Sequence, residues 1–143
     1  MTSTALFVDT WGWLALRDRK EKRHAEAKNI FEAFLAAKGG IITTDFVLDE
    51  TFTLLFRRLR FDAAKASMEA LSASSEIADI ICVPISSVRF KAAQALRVKF
   101  KDKPDISFTD LCSMVVMREL GLRKVLTEDE HFVQVGFGFE RLP

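Results

Sequence analysis

Apolar positions along the chain fall into short continuous runs, separated by longer stretches in which they recur at helical spacing. The first run, residues 4–8, closes abruptly on Asp9 and Thr10. A run this short and this rich in β-formers predicts a buried strand, central in a parallel sheet. Residues 41–44, 80–83 and 124–127 repeat the pattern, the third run being stopped by Pro84. Residues 137–142 can add an edge strand. Between the runs, residues 11–16 predict a short helix beside Asp9, and the wholly charged segment 17–23 an exposed turn or helix start. Ala27, Ile30, Phe31, Phe34 and Leu35 share one face of a helix over 24–37 that Gly39-Gly40 ends. Residues 45–59 predict a third helix, closed by Arg57, Arg58 and Arg60, which suit the negative end of its dipole. Asp62 reads as the N-cap of a helix reaching about Ser72 and loosened by Ala73-Ser74-Ser75. Ser86 or Ser87 caps a further helix reaching about Val98, residues 99–105 form a basic loop, and 107–120 a helix stopped by Gly121. Residues 128–132 read as a turn or short helix. Alternating strands and helices predict an α/β/α sandwich around a parallel sheet of four to five strands, as one domain over 1–143.

Composition adds exclusions. An apolar fraction of 49% argues against disorder, and a net charge of +1 leaves the choice of partner to where charges sit. No apolar run approaches the length of a membrane span, and the first strand starts too early for a leader. Cys82 and Cys112 lack metal-type spacing, so they read as reduced, buried thiols of a soluble cytoplasmic protein. Thirteen Phe and no Tyr predict a Phe-rich core.

Four acids stand where a carboxylate is awkward for folding. Asp9 ends a buried strand, and Asp129 lies just past the fourth, so both open onto one edge of a parallel sheet. Glu50 shares a helix face with Phe46, Val47 and Leu54, on a helix apolar enough all round to be largely buried. Asp110 heads the apolar segment 111–117. Each has a structural alternative: Asp9 as a helix cap, Asp110 in a capping box with Ser107, Asp129 in a first turn capped by Thr127, Glu50 paired with an arginine. Converging carboxylates raise one another's pKa unless cations neutralise them, and hard ions such as Mg²⁺ or Mn²⁺ fit oxygen-only ligands.

Asp9-Thr10 after an apolar strand, Glu50, Ser107-Phe108-Thr109-Asp110, and Thr127 to Phe132 followed by Gly136-Phe137 together resemble a PIN-domain ribonuclease, in particular the VapC-type toxin of toxin–antitoxin pairs. The resemblance spans nearly the whole chain. It implies that Asp9, Glu50, Asp110 and Asp129 line a site for one or two Mg²⁺ or Mn²⁺ ions and hydrolyse RNA, with Thr10 and Thr127 supporting the pocket. It further implies a homodimer and an antitoxin whose C-terminal tail blocks the pocket, with transfer RNA as the commonest sort of target.

An acidic pocket needs basic surroundings to hold RNA. Arg17, Arg19, Lys20, Lys99 and Lys101 are the foremost candidates; Lys22, Arg23, Arg57, Arg58, Arg60, Arg97 and Lys103 are further ones. Trp11 and Trp13 can stack on a base, with core or dimer packing the simpler role. His24 and His131 are poor catalytic candidates, since the reaction needs no histidine nucleophile; His131 reads as packing or solvent-facing. Glu130, Glu128, Asp49 and Asp45 are neighbouring decoys, and Asp105 reads as a turn residue. The rival readings are a PIN nuclease that is not a toxin, a non-catalytic PIN-fold binding protein, and a phosphoryl-transfer enzyme with Asp9 as nucleophile.

Overall fold

A computed structural model describes residues 4–74 and 80–143. In chain order the elements are β1 (Leu6–Val8), α1 (Thr10–Arg17), α2 (His24–Ala36), β2 (Ile41–Thr44), α3 (Asp45–Arg58), α4 (Phe61–Ser74), β3 (Ile80–Val83), α5 (Ser87–Lys99), α6 (Phe108–Leu120), β4 (Lys124–Leu126), α7 (His131–Gln134) and β5 (Glu140–Leu142). The strands form one sheet in the order β3-β2-β1-β4-β5, and every pairing is parallel. The first apolar run is thus the central strand, as its pattern predicts. The edge strand exists but spans only its last three positions.

Local chemistry sets the helix starts. Thr44, Ser86 and Ser107 each accept a hydrogen bond from the backbone N–H three residues on, capping α3, α5 and α6. Gly121 ends α6 with φ of 71°, a conformation glycine adopts without a Cβ penalty. Asp62 is not a cap. It lies in the first turn of α4, which begins at Phe61; there its charge still complements the helix dipole. The helix continues through Ala73 to Ser74, past the loosening the sequence suggests, and Ser75 lies outside the described residues.

The core is less rich in Phe than composition suggests. Phe7, Phe100, Phe132 and Phe139 are buried, while Phe31, Phe34, Phe46, Phe52, Phe56, Phe108 and Phe137 are half-buried around an aliphatic centre. Helix α3 differs too. Only Val47, Thr51 and Leu55 are buried, one stripe at i, i+4 spacing, and its other apolar residues sit at the periphery. Helix α6 is buried nearly all round, as expected. Cys112 is buried and Cys82 half-buried, both as free thiols.

Helix α1 lies close on the sheet. A Cβ at Gly12 would stand 2.6 Å from Leu126 O and 2.8 Å from Val8 Cγ1. The next residue, buried Trp13, donates from Nε1 to Thr43 Oγ1 at 3.1 Å, and Thr43 donates to Val8 O at 3.1 Å. That chain ties α1, β2 and β1 together beneath the Asp9 edge. Arg97 serves a similar end in the loop before α6. It donates to the carbonyls of Ile106, Phe100 and Lys103 at 2.7, 2.7 and 2.6 Å. Its charge alone groups Arg97 with the RNA-facing residues; in the fold its guanidinium is spent on the backbone that presents Asp110.

Gly12→Ala is expected to lower stability by ~1–3 kcal/mol, the usual penalty of overpacking. Thermal unfolding checks this; an unchanged Tm would show that α1 retreats freely from the sheet.

Candidate active site

Register brings the first two acids together. β1 pairs with β4 so that Val8 faces Leu126. The next residues, Asp9 and Thr127, therefore emerge side by side, and the Thr127 hydroxyl donates to Asp9 Oδ2. Asp9 Oδ1 accepts the Gly12 N–H at 2.8 Å and so caps α1. Capping and site geometry coexist here. Each oxygen keeps a lone pair for a cation.

Thr127 also orients the fourth acid. Its Oγ1 accepts the Asp129 N–H at 3.0 Å, and Asp129 Oδ1 accepts the His131 N–H at 2.8 Å at the start of α7. Asp129 thus precedes α7 instead of lying within its first turn. Glu130 is the N-cap residue and makes no side-chain cap bond. Glu50 reaches the site from α3, where Thr10 Oγ1 donates to its Oε1 at 2.6 Å; no arginine takes that role. Asp49 is exposed, whereas Glu50 is half-buried against Thr10. Asp110 heads α6, its N–H donating to Ser107 Oγ at 3.1 Å. Asp110, Asp129 and His131 each offer a ligand atom within 4.8 Å of the other two.

The four carboxylates shape one another's proton affinity. Burial pushes Asp9 up from 3.8 to about 7, against the pull of the Thr127 and Gly12 hydrogen bonds, and the charges of Asp129 and Glu50 add to the rise. Burial also raises Asp110, followed by the charge of Asp9, a hydrogen bond with Asp129, and the charges of Asp129 and Glu50. Among the described residues no lysine or arginine pairs with any of the four. An oxygen-rich, negatively charged cluster without such a counter-ion fits a hard divalent cation.

The decoys stand apart. Asp45 Oδ1 accepts the N–H groups of Phe46 and Ile85 at 3.0 and 2.9 Å, and Glu128, Glu130 and Asp105 are exposed. Trp13 is core; Trp11 is half-buried.

The basic candidates do not all rim the carboxylates. Arg17, Arg19 and Lys20 line a groove of about 850 Å³ between α1, α2 and α4, floored by Trp13, Leu16, Phe31 and Leu71, and none of the four acids lines it. Lys101 is exposed. Lys99 Nζ lies 5.5 Å from the Phe137 ring centre and 5.7 Å from that of Phe100. Sequence reasoning misses Arg118, whose guanidinium carbon stands 4.1 Å from the same Phe137 ring. Only the fold brings α6 and the segment before β5 together, so no local pattern signals that pair. The sequence pattern also reads His131 as packing or solvent-facing, yet it stands beside Asp129; its position two residues along is the available signal.

A family profile described as PIN domain matches residues 6–138. In two strains of Mycobacterium tuberculosis, the 23S rRNA-specific endonuclease VapC20 is 31% identical over 133 residues, covering 92% of this chain and 95% of that protein. The crystal structure of Mycobacterium tuberculosis VapC20, a sarcin-ricin loop cleaving toxin, superposes with a TM-score of 0.79 at 30% identity, covering 93% of this chain and 96% of that one. VapBC2 from Rickettsia felis, solved with a fragment of promoter DNA, superposes at 0.74 with 14% identity over 97% and 99% of the chains, a likeness of fold.

The raised Asp9 and Asp110 values fix a sign. The folded protein holds these protons where the unfolded chain has lost them, so stability is greatest near the ordinary carboxylate range and falls as pH rises through the folded values. Metal-free protein should melt higher at about pH 5 than at about pH 8, and Asp9→Asn should flatten that slope. Melting curves across pH check this; a wild-type Tm that rises over the interval would contradict it.

Proposed function

The chain belongs to the PIN-domain family, and from that premise we propose that it is a VapC-type endoribonuclease, the toxin of a type II toxin–antitoxin pair. The observation that carries the reading is the convergence of Asp9, Glu50, Asp110 and Asp129 with no lysine or arginine counter-ion among the described residues, on a chain 31% identical to an rRNA endonuclease. These four carboxylates hold Mg²⁺ or Mn²⁺, one ion or two. When bound, the ion supplies concentrated positive charge that acidifies water and stabilises the charge developing on the phosphodiester.

The chain's own side chains set the stage for that chemistry. Thr127 and the Gly12 N–H fix both oxygens of Asp9, so its charge points to one place without rotamer freedom. Thr10 does the same for Glu50. The burial that raises the proton affinity of Asp9 and Asp110 also makes their ionised forms costly without a cation. Metal affinity therefore falls in acid, where protons compete for the same oxygens.

The relatives' rRNA activity favours ribosomal RNA over transfer RNA as the first substrate to try. Lys99 and Arg118, seated on Phe137, form no ion pair among the described residues and offer their N–H groups to phosphates. Arg17, Arg19, Lys20 and Lys101 remain part of the proposed RNA-facing set. A homodimer and a cognate antitoxin are part of the reading. No described helix is long and apolar enough to cross a membrane; action in the cytoplasm and a single nuclease domain over 1–143 complete the proposal.

The test is cleavage of total RNA by protein freed of any antitoxin, with Mg²⁺ or Mn²⁺ and with chelator. Discrete metal-dependent cuts are expected, reduced by ~10²-fold or more in Asp9→Asn and Glu50→Gln, which corresponds to a few kcal/mol of barrier. Metal-dependent cutting that survives both substitutions would place the chemistry elsewhere. Separately, Lys99→Gln with Arg118→Gln should weaken RNA binding in chelator and lower its salt dependence by ~1–2 log units per log salt. An unchanged salt slope would remove that patch from the RNA path.

A further inference from the structure

We propose that His131 donates its Nδ1 to the ion held by the carboxylates, so that this site has a mixed nitrogen–oxygen donor set and prefers Mn²⁺ and its heavier neighbours to Mg²⁺. The inference rests on the carboxylate metal site proposed above and adds a ligand that four acids do not include.

Three observations point the same way. His131 Nδ1 is buried and has no hydrogen-bond partner among the described residues. It nevertheless lies 2.9 Å from Asp129 Oδ1, without the alignment that an N–H donor would need. One of the ring nitrogens of His131 also falls within 4.8 Å of ligand oxygens from both Asp129 and Asp110. With the imidazole neutral and its proton on Nε2, the Nδ1 lone pair faces a carboxylate oxygen at that distance, a repulsion that a cation held against both relieves. A nitrogen and an oxygen 2.9 Å apart are close enough for both to reach one ion.

The backbone explains why the ring is held there. The His131 N–H donates to the same Asp129 Oδ1 at 2.8 Å, closing a tight turn that fixes the side chain's root. Phe132, the next residue, is fully buried against Phe139 and anchors α7. The ring therefore reaches the acids without any rearrangement of the chain. Imidazole suits later first-row ions, whereas Mg²⁺ favours oxygen ligands and retained water, so a nitrogen ligand separates the two classes.

Pulsed EPR on the full chain tests the proposal directly. The protein carries only two histidines, and His24 Nδ1 lies 2.7 Å from Ala15 O at the start of α2, away from the acids. Mn²⁺ added to protein labelled with ¹⁵N-imidazole histidine should show a directly coordinated ¹⁵N coupling. The coupling should vanish in His131→Gln and persist in His24→Gln. His131→Gln should also weaken Mn²⁺ binding by ~10-fold or more while changing Mg²⁺ binding by less than ~3-fold, with an unchanged melting curve in chelator. Bound Mn²⁺ with no ¹⁵N coupling would overturn the role of His131 and leave the carboxylate site standing. No Mn²⁺ binding at all would remove the site, and this inference with it.

Discussion

The structure depends on one buried carboxylate being held at both of its oxygens. Asp9 sits at the end of the central strand, where its charge is costly, and neighbouring elements are arranged around it. Helix α1 starts on one oxygen and β4 delivers Thr127 to the other. Neither contact removes the cost of the charge, since burial still lifts its pKa to about 7. The remaining deficit is what a cation can fill. A folding liability at the sheet edge is thus the same feature as the proposed metal site.

That constraint propagates outward through hydroxyls. Thr127 passes the order imposed on Asp9 to Asp129, and Asp129 passes it to the first turn of α7. Thr10, one residue after Asp9, holds Glu50 across to α3. Short uncharged donors fix a carboxylate's orientation without neutralising it, as a lysine or arginine would. The absence of a lysine or arginine partner among the described residues is therefore part of the candidate site's chemistry. Basic side chains are placed around the fold on aromatic rings and in the groove beside α4, where they can act on a polyanion without quenching the acids.

The rest of the fold supplies rigidity behind that edge. Gly12 lets α1 approach Leu126, Trp13 locks α1 to β2 through Thr43, and Arg97 gathers the loop carbonyls that lead into Asp110. Each device removes freedom from a segment that carries a site residue. Carboxylates brought together against their own repulsion would otherwise spread apart.

Much of this is legible in the sequence, for local reasons. The apolar runs at 4–8, 41–44 and 124–127 specify strands because a strand buried on both faces excludes charge, and that requirement is written residue by residue; the run 80–83 also forms a strand, but at the sheet edge, where Ile81 is exposed. Asp9, Glu50, Asp110 and Asp129 stand out because a charge beside such a run is itself a local anomaly. Helix starts at Thr44, Ser86 and Ser107 follow from short-range capping. What the sequence leaves open depends on distance through space. Its apolar content overstates the burial of α3, because composition counts apolar faces but not which neighbours cover them. It overstates the share of Phe in the core for the same reason. The β1–β4 register decides that Thr127 meets Asp9, across 118 residues of chain. Only the crossing of α5, α6 and the segment before β5 seats Lys99 and Arg118 on one ring. His131 comes near Asp110 because α6 begins at the sheet edge where the β4–α7 turn lies, a meeting that no spacing along the chain encodes.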